Sequence, residues 1–179
     1  VKSKGRRDQL IKEVEINKKL FFNEHLKVVK HAYSKAPYFR DVYNILQNLS
    51  EQISNEISLS KINILLIKNI CKYLKIELKY SQSSEYNIKK KKTAKIAELC
   101  KYKMNFELMS NEGTINYMVE DIDILKKNKI NVTFYKFKNI EYNQITKQFI
   151  KQLSILDLIF NEGPNSINII RDGLKKIEI

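Results

Sequence analysis

The chain has 179 residues, 43% of them hydrophobic, and 33 Lys and Arg against 20 Asp and Glu give it a formal net charge of +13. That length and apolar content can bury one ordinary core, and no Pro/Gly/Ser-rich linker divides the sequence, so a single domain over residues 1–179 is expected. Only four Gly and two Pro occur, which excludes a fibrous or disordered protein and favours long elements over many tight hairpins.

The basic balance points toward nucleic acid or an acidic membrane, yet Arg occurs only at Arg6, Arg7, Arg40 and Arg171. Phosphate forks and base readout favour Arg over Lys, so sequence-specific nucleic-acid binding is not expected. Joint over-use of Ile, Asn and Lys is what AT-biased coding produces without selection for charge. Attraction of a small anionic substrate stays open beside that explanation. Cys71 and Cys100 fit neither a zinc motif nor a disulfide framework and read as buried thiols. With no apolar run long enough for a leader or a membrane span, a cytoplasmic protein is expected.

Residues 12–16, Lys-Glu-Val-Glu-Ile, alternate and predict a short strand. A helix follows over about 22–34, carrying His25, Leu26, Val29 and Tyr33. Pro37 then breaks it and can open the next helix, whose apolar stripe is Val42, Ile45, Leu46 and Leu49. Ser58 or Ser60 can cap a third helix built on Ile62, Leu65, Leu66, Ile70, Tyr73 and Leu74.

Beyond it, Ile76-Glu-Leu-Lys-Tyr80 alternates and predicts a strand. After a polar loop, Thr93 caps a helix with Ile96, Leu99 and Cys100 on its core face. Residues 106–109 predict a strand, Ile115, Met118, Val119, Ile122 and Leu125 a helix, and residues 130–136 another strand. This alternation implies crossover units, hence an α/β fold with a Rossmann-like parallel sheet flanked by helices and a helical C-terminus. Ligands of such sheets bind beyond the carboxyl ends of the strands, which would gather the loops 81–92, 110–114 and 136–144.

The terminal helix is apolar nearly all round, yet it carries Ser154, Asp157 and Asn161 on one side, three and four residues apart. Either this is a solvated stripe continuing Lys147 and Lys151, or a buried network in which Asp157 needs a Lys, an amide or a ligand. Ser83, Ser84 and Thr93 flank the lysine run 89–92 and can hold an anion, or simply cap and solvate. Ser110-Asn-Glu-Gly113 forms a turn whose glycine permits positive φ or a close backbone approach. His25 and His31, six apart, cannot form a metal pair on one helix face, and no metal site is expected. His25 can transfer protons or be merely structural. Tyr142 and Gln144 can hydrogen-bond a polar ligand or be ordinary loop residues.

Four segments in order resemble the WbqC-like family of bacterial O-antigen and related polysaccharide gene clusters. They are His25 with Tyr33-Ser-Lys-Ala-Pro-Tyr-Phe39, Ser83-Ser-Glu85 with Thr93-Ala-Lys-Ile-Ala-Glu-Leu-Cys100, Ser110-Asn-Glu-Gly113 with Tyr117, and Leu153-Ser-Ile-Leu-Asp-Leu-Ile-Phe-Asn-Glu-Gly-Pro164. The first and last are the most specific. The chain departs from the family at Phe21, where Trp is usual, in the lysine run 89–92, where glycine is usual nearby, and at Tyr142-Asn-Gln144, which usually reads Tyr-Pro-Gln.

The family's usual N-terminal segment is also missing, so a truncated domain is expected, with a sheet edge open to self-association or a partner. The resemblance implies a role in surface-polysaccharide biosynthesis. It is compatible with an acyl, aminoacyl or related group transferase acting on a nucleotide-linked amino sugar. His25 or Asp157 would then move a proton, and Lys35, Tyr38, Ser83, Ser84, Thr93, Ser110, Gly113, Tyr142, Gln144, Ser154 and Asn161 would line the site. The alternative is a non-catalytic basic binding or scaffold module. No cofactor is implied.

Overall fold

The structure is a computed structural model describing residues 9–16, 21–53 and 56–177. The described residues form two compact units, one drawn from the stretch up to Leu78 and from Glu141–Ile169, the other from Lys79–Ile140 and Ile170–Ile179.

In the first unit, α1 (Phe21–Tyr33), α2 (Phe39–Gln52) and α3 (Leu59–Tyr73) are followed, after the excursion into the second unit, by α7 (Ile155–Glu162). The expected stripe of α2 is its buried face: Val42, Leu46 and Leu49 lie inside, with Ile45 half-buried. Helix α2 packs on α1, α3 and α7. Leu49, Ile53 and Ile62 build the core with Ile16. Of the two possible caps for α3 it is Ser58 whose hydroxyl accepts from Lys61 N. Pro37 does not open α2, which starts two residues later with Tyr38 as its N-cap. The expected strand over 12–16 is instead a 3₁₀ turn at Ile11–Glu13 and a single antiparallel bridge, Glu15 to Ser58. Its alternation is satisfied by one buried side chain, Ile16, which leaves little to propagate a ladder.

The second unit is a small α/β layer pair. Strand β1 (Glu107–Asn111) leads through α5 (Ile115–Glu120) and α6 (Ile122–Lys127) to β2 (Asn131–Phe137), paired parallel with Leu108 opposite Val132 and Ser110 opposite Phe134. One parallel crossover therefore exists as expected. The sheet is mixed, however, because β3 (Leu174–Ile177) pairs antiparallel with β2, and the C-terminal segment that was expected to be wholly helical supplies it after α8 (Ser166–Gly173). Residues 76–80 form no strand. Their side chains are all exposed, so the alternation there has no buried face to fix a register. Helices α4 (Lys92–Tyr102), α5 and α6 cover one face, where Ala97, Met118, Leu125, Ile130 and Phe134 are buried with Leu108 and Val132 against them.

Three helices end alike. After α3, α4 and α6, the N–H groups of Lys75, Met104 and Lys129 and of the residue following each turn back to carbonyls of the last helical turn. All three residues have φ between 51° and 55°. This is the Schellman arrangement, normally closed by glycine.

Thr93 does not cap α4. Lys91 is the N-cap residue, and Lys92, at φ 50°, turns the chain left-handed in the lysine run where the resemblance leads one to expect glycine. Thr93 therefore falls inside the first turn, 1% exposed, with Oγ1 buried and no hydrogen-bond partner among the described residues. Thr93→Val keeps the shape and removes an unsatisfied hydroxyl. Thermal denaturation should show it neutral or stabilised by up to about 1 kcal/mol, whereas a true cap would lose about that amount.

Candidate functional site

The two most specific motifs of the sequence meet. The short link Ser34-Lys-Ala-Pro-Tyr38 between α1 and α2 lies against the end of α7, where Tyr38 N donates to Phe160 O at 3.0 Å. Phe160 is fully buried; its ring stacks on Tyr33 at 4.5 Å between centroids and 8° between planes, and on Phe39 at 6.1 Å. Gly163 closes α7 with φ 55° and ψ −133°, and a Cβ there would stand 2.4 Å from the Tyr38 ring. Glycine is thus required twice over, by backbone conformation and by the aromatic ring against it.

Asp157 occupies the buried side of α7, 4% exposed. Of the stripe, Asp157 and Asn161 are accordingly buried rather than solvated, while Ser154 at the helix start is exposed. Tyr142 donates its hydroxyl to Oδ2 at 2.6 Å, and Gln144 Nε2 donates to the same oxygen at 2.9 Å. Tyr33 bonds the carboxylate from α1. A buried charge needs such donors, and here an amide and two phenols serve. Both phenols are pushed up to about 12, first by burial and then by the negative charge beside them. They remain donors throughout the neutral range.

The same network folds the irregular stretch 141–153 onto α7. Asn161 Oδ1 accepts from Ile145 N at 3.1 Å while its Nδ2 donates to Asp157 O at 2.8 Å, and Glu162 accepts from Asn143 N. Gln144 closes the loop on itself: Nε2 donates to Ile150 O, and Oε1 accepts from Ile150 N at 2.8 Å. Tyr142 also stands edge-on to Phe149. Ser154 has a different task, capping α7 by accepting from Leu156 N at 3.2 Å.

The structure therefore brings Asp157, Asn161, Tyr142 and Gln144 into one network, with Tyr38 on the adjoining Gly163. Lys35 is exposed on the link before Tyr38, and His25 is exposed on α1. His25 lies eight residues before Tyr33, about 12 Å along the helix axis. By spacing alone, Tyr33 belongs to the apolar stripe of α1. Its signal was available, since a tyrosine closing a buried stripe needs a partner for its hydroxyl.

The remaining candidates belong to the second unit. Ser110, near the carboxyl end of β1, and Thr114 share a 2.7 Å hydroxyl contact. Gly113 has no positive φ, so of its two possible roles the left-handed turn is not used; a Cβ there would stand 3.2 Å from Asn111 Oδ1, a side-chain rather than a backbone neighbour. Ser83 and Ser84 sit in a 3₁₀ turn, Ser83 accepting from Lys95 Nζ at 3.4 Å. Among the described residues no strand precedes them, so the rule that gathers loops at one sheet edge does not reach these two serines. Among the described residues no cluster of three His, Cys, Asp or Glu side chains could hold a metal ion. No helix there is long and apolar enough to cross a membrane.

Fold and site together describe an α/β protein in which a buried carboxylate clasps an irregular loop onto a helix behind an aromatic stack. The chain belongs to the WbqC-like protein family, whose model matches residues 1–169 and so runs through both units. It is 30% identical over 174 residues to a protein of Mycobacterium tuberculosis (strain ATCC 25618 / H37Rv) described as Uncharacterized protein Rv1507c, a similarity covering 96% of this chain and 73% of that one. No solved structure gives a significant match.

Two measurements probe the clasp. Followed by tyrosinate absorbance, Tyr33 and Tyr142 should ionise near 12 instead of 10. In Asp157→Asn both steps should move down without returning to 10, because burial persists. Since the folded values are raised, the stability the phenols contribute is complete below pH 10 and is lost as pH climbs through 12. Tyr142→Phe should flatten that decline. In urea titrations Gly163→Ala should cost at least about 2 kcal/mol, from left-handed strain and the clash with Tyr38.

Proposed function

We propose that the protein serves bacterial surface-polysaccharide biosynthesis and binds a nucleotide-linked amino sugar, to which it transfers an acyl, aminoacyl or related group. The observation that carries this reading is the clasp itself. Its polar groups, all drawn from the two segments most specific to the family and the loop between β2 and α7, suit the hydroxyl and amide groups of a sugar, and aromatic rings flank them. A single parallel crossover, the unit that Rossmann-like sheets repeat, is consistent with the expected fold. In this reading Asp157 is a positioning residue: at 4% exposure, with Oδ2 occupied by Tyr142 and Gln144, it orders the loop that meets the sugar. Proton transfer falls to His25, and Lys35 offers charge to a phosphate.

A second reading has one observation in its favour. The 12 Å or so of helix between His25 and Tyr33 separates the proton carrier of the first reading from the clasp, as suits a binding module without chemistry. Calorimetric titration with a panel of UDP- and dTDP-linked amino sugars decides between them. Under the first reading the protein binds one of the panel, Tyr142→Phe and Lys35→Ala each weaken it by about tenfold, the loss of one charged hydrogen bond, and mass spectrometry with acyl donors finds a modified sugar. Binding without any modified product supports the second reading. Absence of binding across the panel removes the substrate class.

A further inference from the structure

The mixed sheet of the second unit has two edges of opposite character. Its order is β1-β2-β3, so β1 and β3 each have one side without a ladder partner among the described residues. An open edge is a template for another strand, and soluble proteins usually guard it with Lys, Pro or a bulge. Strand β3 reads Leu-Lys-Lys-Ile and is guarded. Strand β1 reads Glu-Leu-Met-Ser-Asn, without a lysine, in a chain where 33 of 179 residues are Lys or Arg. Met109 on that edge is 63% exposed, and it is led by exposed Tyr102, Met104 at 83% and Phe106.

We infer that the β1 edge pairs with the β1 edge of a second copy of this chain, joining two three-stranded sheets into one. The sequence of β1 selects the geometry. Placed antiparallel about Met109, Glu107 faces Asn111 of the second copy, Leu108 faces Ser110, and Met109 faces Met109, so no like charges oppose. Parallel pairing would set Glu107 against Glu107, which cross-strand energetics disfavour. A two-fold interface of this kind is self-complementary and closes at two copies. It joins two strongly cationic chains through a strand that carries no cation of its own, so salt should strengthen it by screening the repulsion between them. An association held by opposite charges would weaken instead. This inference is independent of the sugar-binding reading.

Sedimentation velocity over a concentration series, at low and high salt, tests it. The native chain should move from monomer to dimer mass with concentration, earlier at high salt, and hydrogen exchange of the β1 amides should slow in step. Met109→Lys, at an exposed position that should not disturb folding, should hold the chain at monomer mass. Val28→Lys, at an exposed apolar residue of α1, should dimerise like the native chain. A native chain that stays monomeric at every concentration overturns the proposal. So does a dimer that survives Met109→Lys, or one that forms without slowing exchange in β1.

Discussion

A carboxylate with little access to water has to be surrounded by donors, and in this protein that requirement organises the first unit around α7. Asp157 gathers a phenol from α1 and a phenol and an amide from the 141–153 stretch. The loop has no secondary structure of its own. Its path over α7 is set by side-chain acceptors on that helix, with Asn161 and Glu162 taking up the backbone N–H groups that a ladder would otherwise satisfy. An apolar residue at 157 would pack as well in α7 and leave that loop without its anchor.

The aromatic stack behind the carboxylate explains why two motifs far apart in sequence read as one signature. Phe160 lies against both Tyr33 and Phe39, and the Tyr38 ring lies where a side chain at 163 would be. Each segment supplies the surface that the other is shaped to meet. The spacing within Tyr33-Ser-Lys-Ala-Pro-Tyr-Phe39 is fixed by this packing: the link must bring rings from the end of α1 and the start of α2 to a single partner. A chemical role for the cluster would be built on that packing.

Legibility in the sequence followed burial. The helices of the first unit were readable because their apolar stripes, such as Val42, Leu46 and Leu49, have a single buried side to report. The cap of α3 was readable only as Ser58 or Ser60, and the polar stripe of α7 only as either buried or solvated, because spacing places a polar group on a helix without saying what covers it. Residues 76–80 misled because alternation alone does not supply a partner strand. Strand β3 was hidden because three of its four residues are exposed, leaving no period to detect. Tyr33 was read as an apolar body and its hydroxyl overlooked. The clasp as a whole joins residues more than 100 positions apart, and nothing in local spacing encodes that meeting.

The left-handed helix ends carry a consequence for how this chain can evolve. Lys75, Met104 and Lys129 occupy positions where a side chain costs roughly 1–2 kcal/mol of backbone strain relative to the right-handed region, and Lys92 does so at a helix start. Glycine codons are rich in G and C, whereas lysine codons are rich in A, so an AT-biased genome would supply lysine at such turns regardless of their geometry. Nucleotide composition then acts as a steady load on folding stability, spread over separate turns and invisible in the core. A lineage released from that bias could regain thermal tolerance one turn at a time, without altering a residue of the clasp.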